Sequence, residues 1–65
     1  MRGAIKRMWS VKGFGFIRGE DGLDYFVHRT AVLGAAFETV REGQRVTFEP
    51  MRHDKGPRAE QVQLA

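Results

Sequence analysis

Two stretches decide the reading of this chain: Lys12-Gly13-Phe14-Gly15-Phe16-Ile17 and Tyr25-Phe26-Val27-His28, with Asp21-Gly22 between them. Side chains on a strand alternate between faces. Phe14 and Phe16 therefore share one face of the first segment, and Phe26 and His28 share one face of the second. The opposite faces carry Gly13, Gly15 and Ile17, then Tyr25 and Val27. Asp-Gly between alternating runs is a hairpin signal, and an antiparallel hairpin sets the aromatic side chains of the two strands beside one another. A core needs only one face of such a sheet, and Ile17 and Val27 are its candidates. The aromatic face then needs another use. Flat rings in a basic surround suit stacking with unpaired bases, because every base has a π-face and every nucleotide a phosphate.

Working outward, Gly3 to Ser10 reads as a strand before the hairpin, with Ile5 as its core residue and Lys6 opposite by strict alternation. Lys12 to Gly19 is the second strand and Asp24 to His28 the third. Glycines at 13 and 15 are costly inside a strand and mark a bend, a bulge or a close approach. Thr30 to Leu33 has room for a single helical turn capped by Thr30. Gly34 to Gly43 is a long connection containing Phe37. Arg45 to Met51 alternates Val46 and Phe48 against polar residues and makes a fourth strand. Pro50 places an end or an edge near there. Arg52 to Pro57 is a turn, and Arg58 to Leu64 is a fifth strand with Val62 and Leu64 on one face. Five short strands in 65 residues predict an all-β, five-stranded antiparallel barrel, which solves the edge problem of a small open sheet. Periodicity alone does not separate an OB-type barrel from an SH3-like one.

Composition narrows the classes. A chain of 65 residues forms one domain, residues 1–65, and cysteine is absent, so neither disulfides nor a thiolate metal site can staple it. No apolar run approaches the roughly 20 residues that span a bilayer, and the start of the chain lacks the apolar centre of a signal peptide. A cytoplasmic protein is expected, with no membrane partner. Eleven Lys and Arg against eight Asp and Glu give a net charge of +3. That balance is compatible with an ordinary soluble surface and equally with a nucleic-acid partner.

At this point the residues resemble a known family. Lys12 to Ile17 and Phe26-Val27-His28 are similar to the two nucleic-acid-binding motifs of the cold-shock domain. Glu42-Gly43-Gln44 before a Val-x-Phe strand, and Lys55-Gly56-Pro57-x-Ala59, also match it. The resemblance runs in order from about Gly3 to Val62. It implies a five-stranded OB-fold barrel that binds single-stranded DNA or RNA with little sequence selectivity, and a role as an RNA chaperone or modulator of transcription or translation. Carried over position by position, it implies contacts from Lys6, Lys12, Phe14, Phe16, Phe26, His28 and Phe37, with Asp24 at a base edge.

The departures from the family pattern lie in the first strand and after the second motif. Where the family reads Lys-Trp-Phe-Asn, this chain reads Lys6-Arg7-Met8-Trp9, and Arg29 replaces the aromatic after His28. Arg7 and Trp9 are two positions apart and share a face, so Trp9 is expected to take over part of the lost stacking. An Arg plane can also lie against a base. Arg7, Trp9 and Arg29 join the candidate contacts, and more of the affinity is expected from phosphates, with a steeper salt dependence.

Competing readings are specific. Phe37 either covers the open end of the barrel or meets a base, and Trp9 either caps the core or stacks. His28 has no second ligand at metal-site spacing, and His53 falls in a turn facing solvent. Gly13-Phe14-Gly15 starts like a dinucleotide fingerprint, but Arg18 stands where the third glycine belongs. Ser10 is the only serine, with no neighbour to activate it. No catalysis, cofactor, metal or small-molecule substrate is expected, and the chain is expected to be a monomer. The rival binding class is an SH3-like barrel holding a proline-rich peptide on the same rings. Such grooves favour acidic residues near the rings, whereas Lys6, Arg7, Lys12 and Arg29 favour phosphate.

Overall fold

Five strands closed into one ring cannot all alternate in direction, because five is odd, so at least one neighbouring pair must be parallel. The structure, a computed structural model that describes residues 1–34 and 37–65, obeys this parity. Its strands are β1 (Arg2–Trp9), β2 (Phe14–Gly19), β3 (Asp24–His28), β4 (Arg45–His53) and β5 (Gly56–Leu64). They close in the order β1-β2-β3-β5-β4. The expected five-stranded barrel is present, with antiparallel neighbours everywhere except one seam, where β3 and β5 run parallel and pair Phe26 with Arg58. The architecture is all-β and consistent with an OB-fold.

The central hairpin keeps the faces that alternation demands. Phe14 faces His28, Phe16 faces Phe26 and Ile17 faces Tyr25. Ile17 and Val27 are fully buried beside Val46 and Val62. Each such side chain contributes roughly 1.5–3 kcal/mol relative to exposure. Tyr25 is also inside, and its hydroxyl donates to Asp21 in the β2–β3 turn. That bond holds the Asp21 carboxyl below its ordinary range and raises the Tyr25 hydroxyl above its own.

The two interior glycines solve separate problems. Gly13 adopts φ +81, which ends the β1–β2 turn and starts β2 at Phe14 rather than at Lys12; Lys12 thus lies in the turn. Gly15 lies against β1, where a Cβ would sit 2.5 Å from the Arg7 carbonyl oxygen and 2.8 Å from Met8 Sδ. The close approach expected of a strand glycine is made there.

Further boundaries differ from the sequence expectation, and β1 is displaced by one residue, to Arg2–Trp9. Strand β4 runs through Pro50 to His53, and β5 begins at Gly56. Pro50 is tolerated because pairing of β4 with the N-terminal segment ends at the Met1–Phe48 hydrogen bonds, leaving its ring on an open edge. The turn after β3 is a single 3-10 turn, Arg29–Ala31, capped by His28 rather than Thr30. A further 3-10 turn, Phe37–Thr39, lies in the expected long connection, whose residues 35 and 36 are outside the described set. On β5, Gln61 at φ 49 and a register shift opposite Thr47–Glu49 bring both Ala59 and Val62 inward. Leu64, expected to share the face of Val62, is 40% exposed at the strand end.

Candidate nucleic-acid interface

The outer face of the barrel is organised by a bulge in β1. Ile5 pairs with Ile17, but Arg7 pairs with Phe16, so Lys6 is the extra residue. Strict alternation after an inward Ile5 would turn Arg7 and Trp9 inward and Met8 outward. The bulge reverses that pattern. Met8 packs against the core, and Arg7 and Trp9 join the aromatic face.

Pairing then lays side chains in rows across the strands. One row runs Arg7, Phe16, Phe26, Arg58 over four strands, and the next runs Trp9, Phe14, His28 over three. The rings are in mutual contact. Phe14 and Phe26 stack with centroids 5.8 Å apart and planes 26° apart, and Phe16 meets Phe26 edge-on at 5.9 Å. Trp9 tilts against Phe14 at 5.1 Å and meets Phe16 edge-on at 6.0 Å. Of the two readings of Trp9, the structure selects the ring on the outer face. All four rings are half-buried and half-open.

Cations frame the rows. The Arg7 guanidinium carbon lies 5.4 Å from the Trp9 centroid, and that of Arg58 lies 5.8 Å from Phe26; both are within cation–π range. Arg58 Nε is also 2.8 Å from a Glu60 carboxylate oxygen, a charge contact without hydrogen-bond alignment. Arg29 is exposed and lies across Gly13, and Lys12 is exposed in the adjoining turn. His28 Nδ1 accepts the Thr30 backbone N–H and lies 3.0 Å from the Thr30 hydroxyl, so the neutral ring carries its proton on Nε2.

Beside the first row sits an ion triad. Asp24 accepts from Arg18 Nε at 2.6 Å and from Lys6 Nζ at 2.7 Å. Those two partners, Arg18 more than Lys6, hold its carboxyl below the ordinary carboxylate range. Phe37 is brought elsewhere: it is 5% exposed, so its ring offers a base almost no surface. Of the two readings of Phe37, burial is the one observed.

The structure also adds residues that the sequence reading left out. His53, Lys55, Pro57 and Arg58 line a groove of about 450 Å³ with Phe16, Phe26 and Asp24. The parallel seam brings them there, a pairing that local alternation does not announce. The signal was present only as the Lys55-Gly56-Pro57-x-Ala59 stretch, whose unspecified position is Arg58.

Residues 1–65 match the family described as the 'Cold-shock' DNA-binding domain. The chain belongs to the cold-shock domain family. Cold shock protein 2 of Lactiplantibacillus plantarum is 49% identical over 61 residues, covering 94% of this chain and 92% of that protein. Cold shock protein CspB of Bacillus caldolyticus is 48% identical over the same shares of each chain. A cold shock-like protein of Thermotoga maritima is 45% identical over 64 residues, covering 98% of this chain and 97% of that protein. Within this cold-shock barrel, no helix of the described residues is long and apolar enough to cross a membrane. No cluster of three or more metal-ligating side chains occurs among them either.

Proposed function

We propose that this cold-shock domain is a one-domain module that binds single-stranded DNA or RNA, chiefly by stacking bases on Trp9, Phe14, Phe16 and Phe26. The observation that carries the proposal is the contiguity of those four rings on the outer face, with an arginine at each end of the Phe16–Phe26 row. A core does not need them, since Ile17, Val27, Val46 and Val62 fill it from the other side. Each stacked base contributes roughly 1–3 kcal/mol, so a few rings suffice without a pocket. Lys6, Arg7, Lys12 and Arg29 supply phosphate contacts, His28 offers a donor at the platform's end, and Asp24 reads a base edge. Lys55 and Arg58 extend the basic border. The role is binding rather than catalysis: a monomer in the cytoplasm that keeps transcripts single-stranded as an RNA chaperone.

The test is fluorescence anisotropy of a labelled seven-nucleotide thymine strand at two salt concentrations, beside a duplex of matched length. Tight, salt-weakened binding to the single strand and much poorer binding to the duplex are expected. Equal binding to both would reduce the interface to a patch of charge, and no binding at low salt would refute the proposal.

A further inference from the structure

The outer face does not end with the aromatic rows. One step further along the barrel, pairing lays a third row across four strands: Arg45 on β4, Ala4 on β1, Arg18 on β2 and Asp24 on β3. These side chains point outward because their neighbours along each strand point in. Ile5, Ile17, Tyr25 and Val46 are buried, and a Cβ on Gly3 would meet Ile17 and Phe48. The row carries no ring, so it cannot stack a base. We propose that Arg18 and Arg45, on either side of Ala4, form a phosphate site that holds the backbone of the same single strand where it runs on past Arg7. The proposal rests on the single-strand reading above and lengthens the bound segment beyond the platform.

Geometry and charge both suit that occupant. Neighbouring strands lie about 4.8 Å apart, which puts the two arginine Cα atoms roughly 9–10 Å apart across β1. Two long side chains can close that gap over Ala4, whose own side chain ends at Cβ and leaves room for a phosphate between them. Both arginines are exposed. Arg18 gives Asp24 its Nε, which leaves its two terminal amino groups for another anion. Arg45 has no carboxylate within ion-pair distance among the described residues. A guanidinium fork matches phosphate oxygens. Lys6, the extra residue of β1, stands between the second row and the third, and its tie to Asp24 keeps a cation on the path from Arg7 to this site. Arg2, one row further, stands beside Glu20, whose backbone N–H donates to its carbonyl, and repulsion from that carboxylate ends the path there.

An exposed ion pair is weak by itself. Phosphates tethered to bases already stacked on the platform arrive at an effective concentration in the millimolar range, so a weak site fills. Its signature is salt dependence, because each single-strand phosphate contact steepens the slope of log K against log salt by about 0.7. A longer strand also has more placements on the platform, which raises its affinity but not its slope.

The experiment measures that slope by fluorescence anisotropy for labelled thymine strands of seven and ten nucleotides, with one protein bound per strand. Wild type is compared with Arg45→Gln and with Arg52→Gln, and melting curves confirm that each variant folds. Arg52 is an exposed cation paired with Pro57 near the end of the β4–β5 hairpin, outside the three rows, so its loss controls for overall charge. Wild type should show a slope steeper by about 0.7–1.4 on the longer strand. Arg45→Gln should remove about 0.7 of that difference and leave the seven-nucleotide slope unchanged, and Arg52→Gln should change neither. Equal slopes for the two lengths overturn the site and leave the single-strand reading standing. An equal loss from Arg45→Gln at both lengths overturns its placement beyond the platform. A loss from Arg52→Gln as large as that from Arg45→Gln also overturns the site, since overall charge would then account for the slope. No binding of either strand overturns the single-strand reading and this site with it.

Discussion

Replacing Phe26 by Ala separates a binding ring from a core ring, because its neighbours are known. Phe26 contacts Phe14 at 5.8 Å, Phe16 at 5.9 Å and the Arg58 guanidinium at 5.8 Å. At the low end suited to half-open rings, two aromatic pairs of about 0.5 kcal/mol each and a cation–π contact of about 0.5 kcal/mol are lost. The expected destabilisation is about 1–1.5 kcal/mol, or roughly 5–10 °C in Tm for a domain of this size. Binding should fall further, by about 5- to 150-fold in Kd, if one base loses its stacking surface. Ile17→Val is the matched control. Ile17 is fully buried, and trimming one methyl costs about 0.5–1.5 kcal/mol, with no surface removed from the outer face. Thermal melting followed by circular dichroism reads stability, and anisotropy below both midpoints reads binding per folded molecule. Two variants of similar Tm and clearly different Kd are expected. Equal Kd for Phe26→Ala and wild type, with Tm lowered, would make Phe26 a structural residue and refute the platform.

Three further outcomes test other parts of the structure. Arg7→Gln should flatten the dependence of log K on log salt by about 0.7, the value of one single-strand phosphate contact; an unchanged slope would mean that Arg7 meets no phosphate. Gly15→Ala should lower stability by about 1–3 kcal/mol, because its Cβ would lie 2.5 Å from the Arg7 carbonyl oxygen; a melting point equal to wild type would show that β1 and β2 can separate freely. Tyr25→Phe should flatten the pH dependence of Tm at both ends. The Asp21 carboxyl is held below 3.8, so its stabilisation is complete above 3.8 and lost as pH falls through the lower folded value. The Tyr25 hydroxyl is held above 10.0, so its share is complete below 10.0 and lost as pH rises through the higher folded value. Wild-type and variant curves of identical shape would place no stability in the Tyr25–Asp21 bond.

What the sequence made legible was local. Alternation sufficed to put Phe14, Phe16, Phe26 and His28 on one face of the β2–β3 hairpin, whereas the pairing of Phe16 with Phe26 depends on a turn longer than the two residues Asp21-Gly22 and was not specified. Long-range pairing was not legible. Arg58 and Lys55 reach the aromatic rings only through the parallel seam between β3 and β5, and nothing in the spacing of these segments encodes which distant strand becomes a neighbour. The Pro50 signal was read as an end or an edge, and the edge is what β4 shows, because beyond Phe48 the strand has lost its N-terminal neighbour and pairs with β5 alone. Phe37 failed to be decided from sequence for a related reason. An aromatic in a connection covers the barrel or faces outward according to the path of the backbone, and residue type does not reveal that path.

The β1 bulge explains how the altered first strand keeps an aromatic face. With Ile5 fixed inward against Ile17, a regular strand would bury the Arg7 guanidinium, which is costly without a partner, and would expose Met8. One extra residue at Lys6 puts two cations outside in succession, returns Met8 to the core and delivers Trp9 to Phe14. The indole and the guanidinium thus occupy one face as a contacting pair, which couples stacking to charge at that corner. In the proposed complex, a strand that lies along the Arg7–Phe16–Phe26–Arg58 row meets a cation before and after its stacked bases. Affinity there depends on phosphates at both ends and on rings in the middle, so salt weakens the ends while the stacked centre persists.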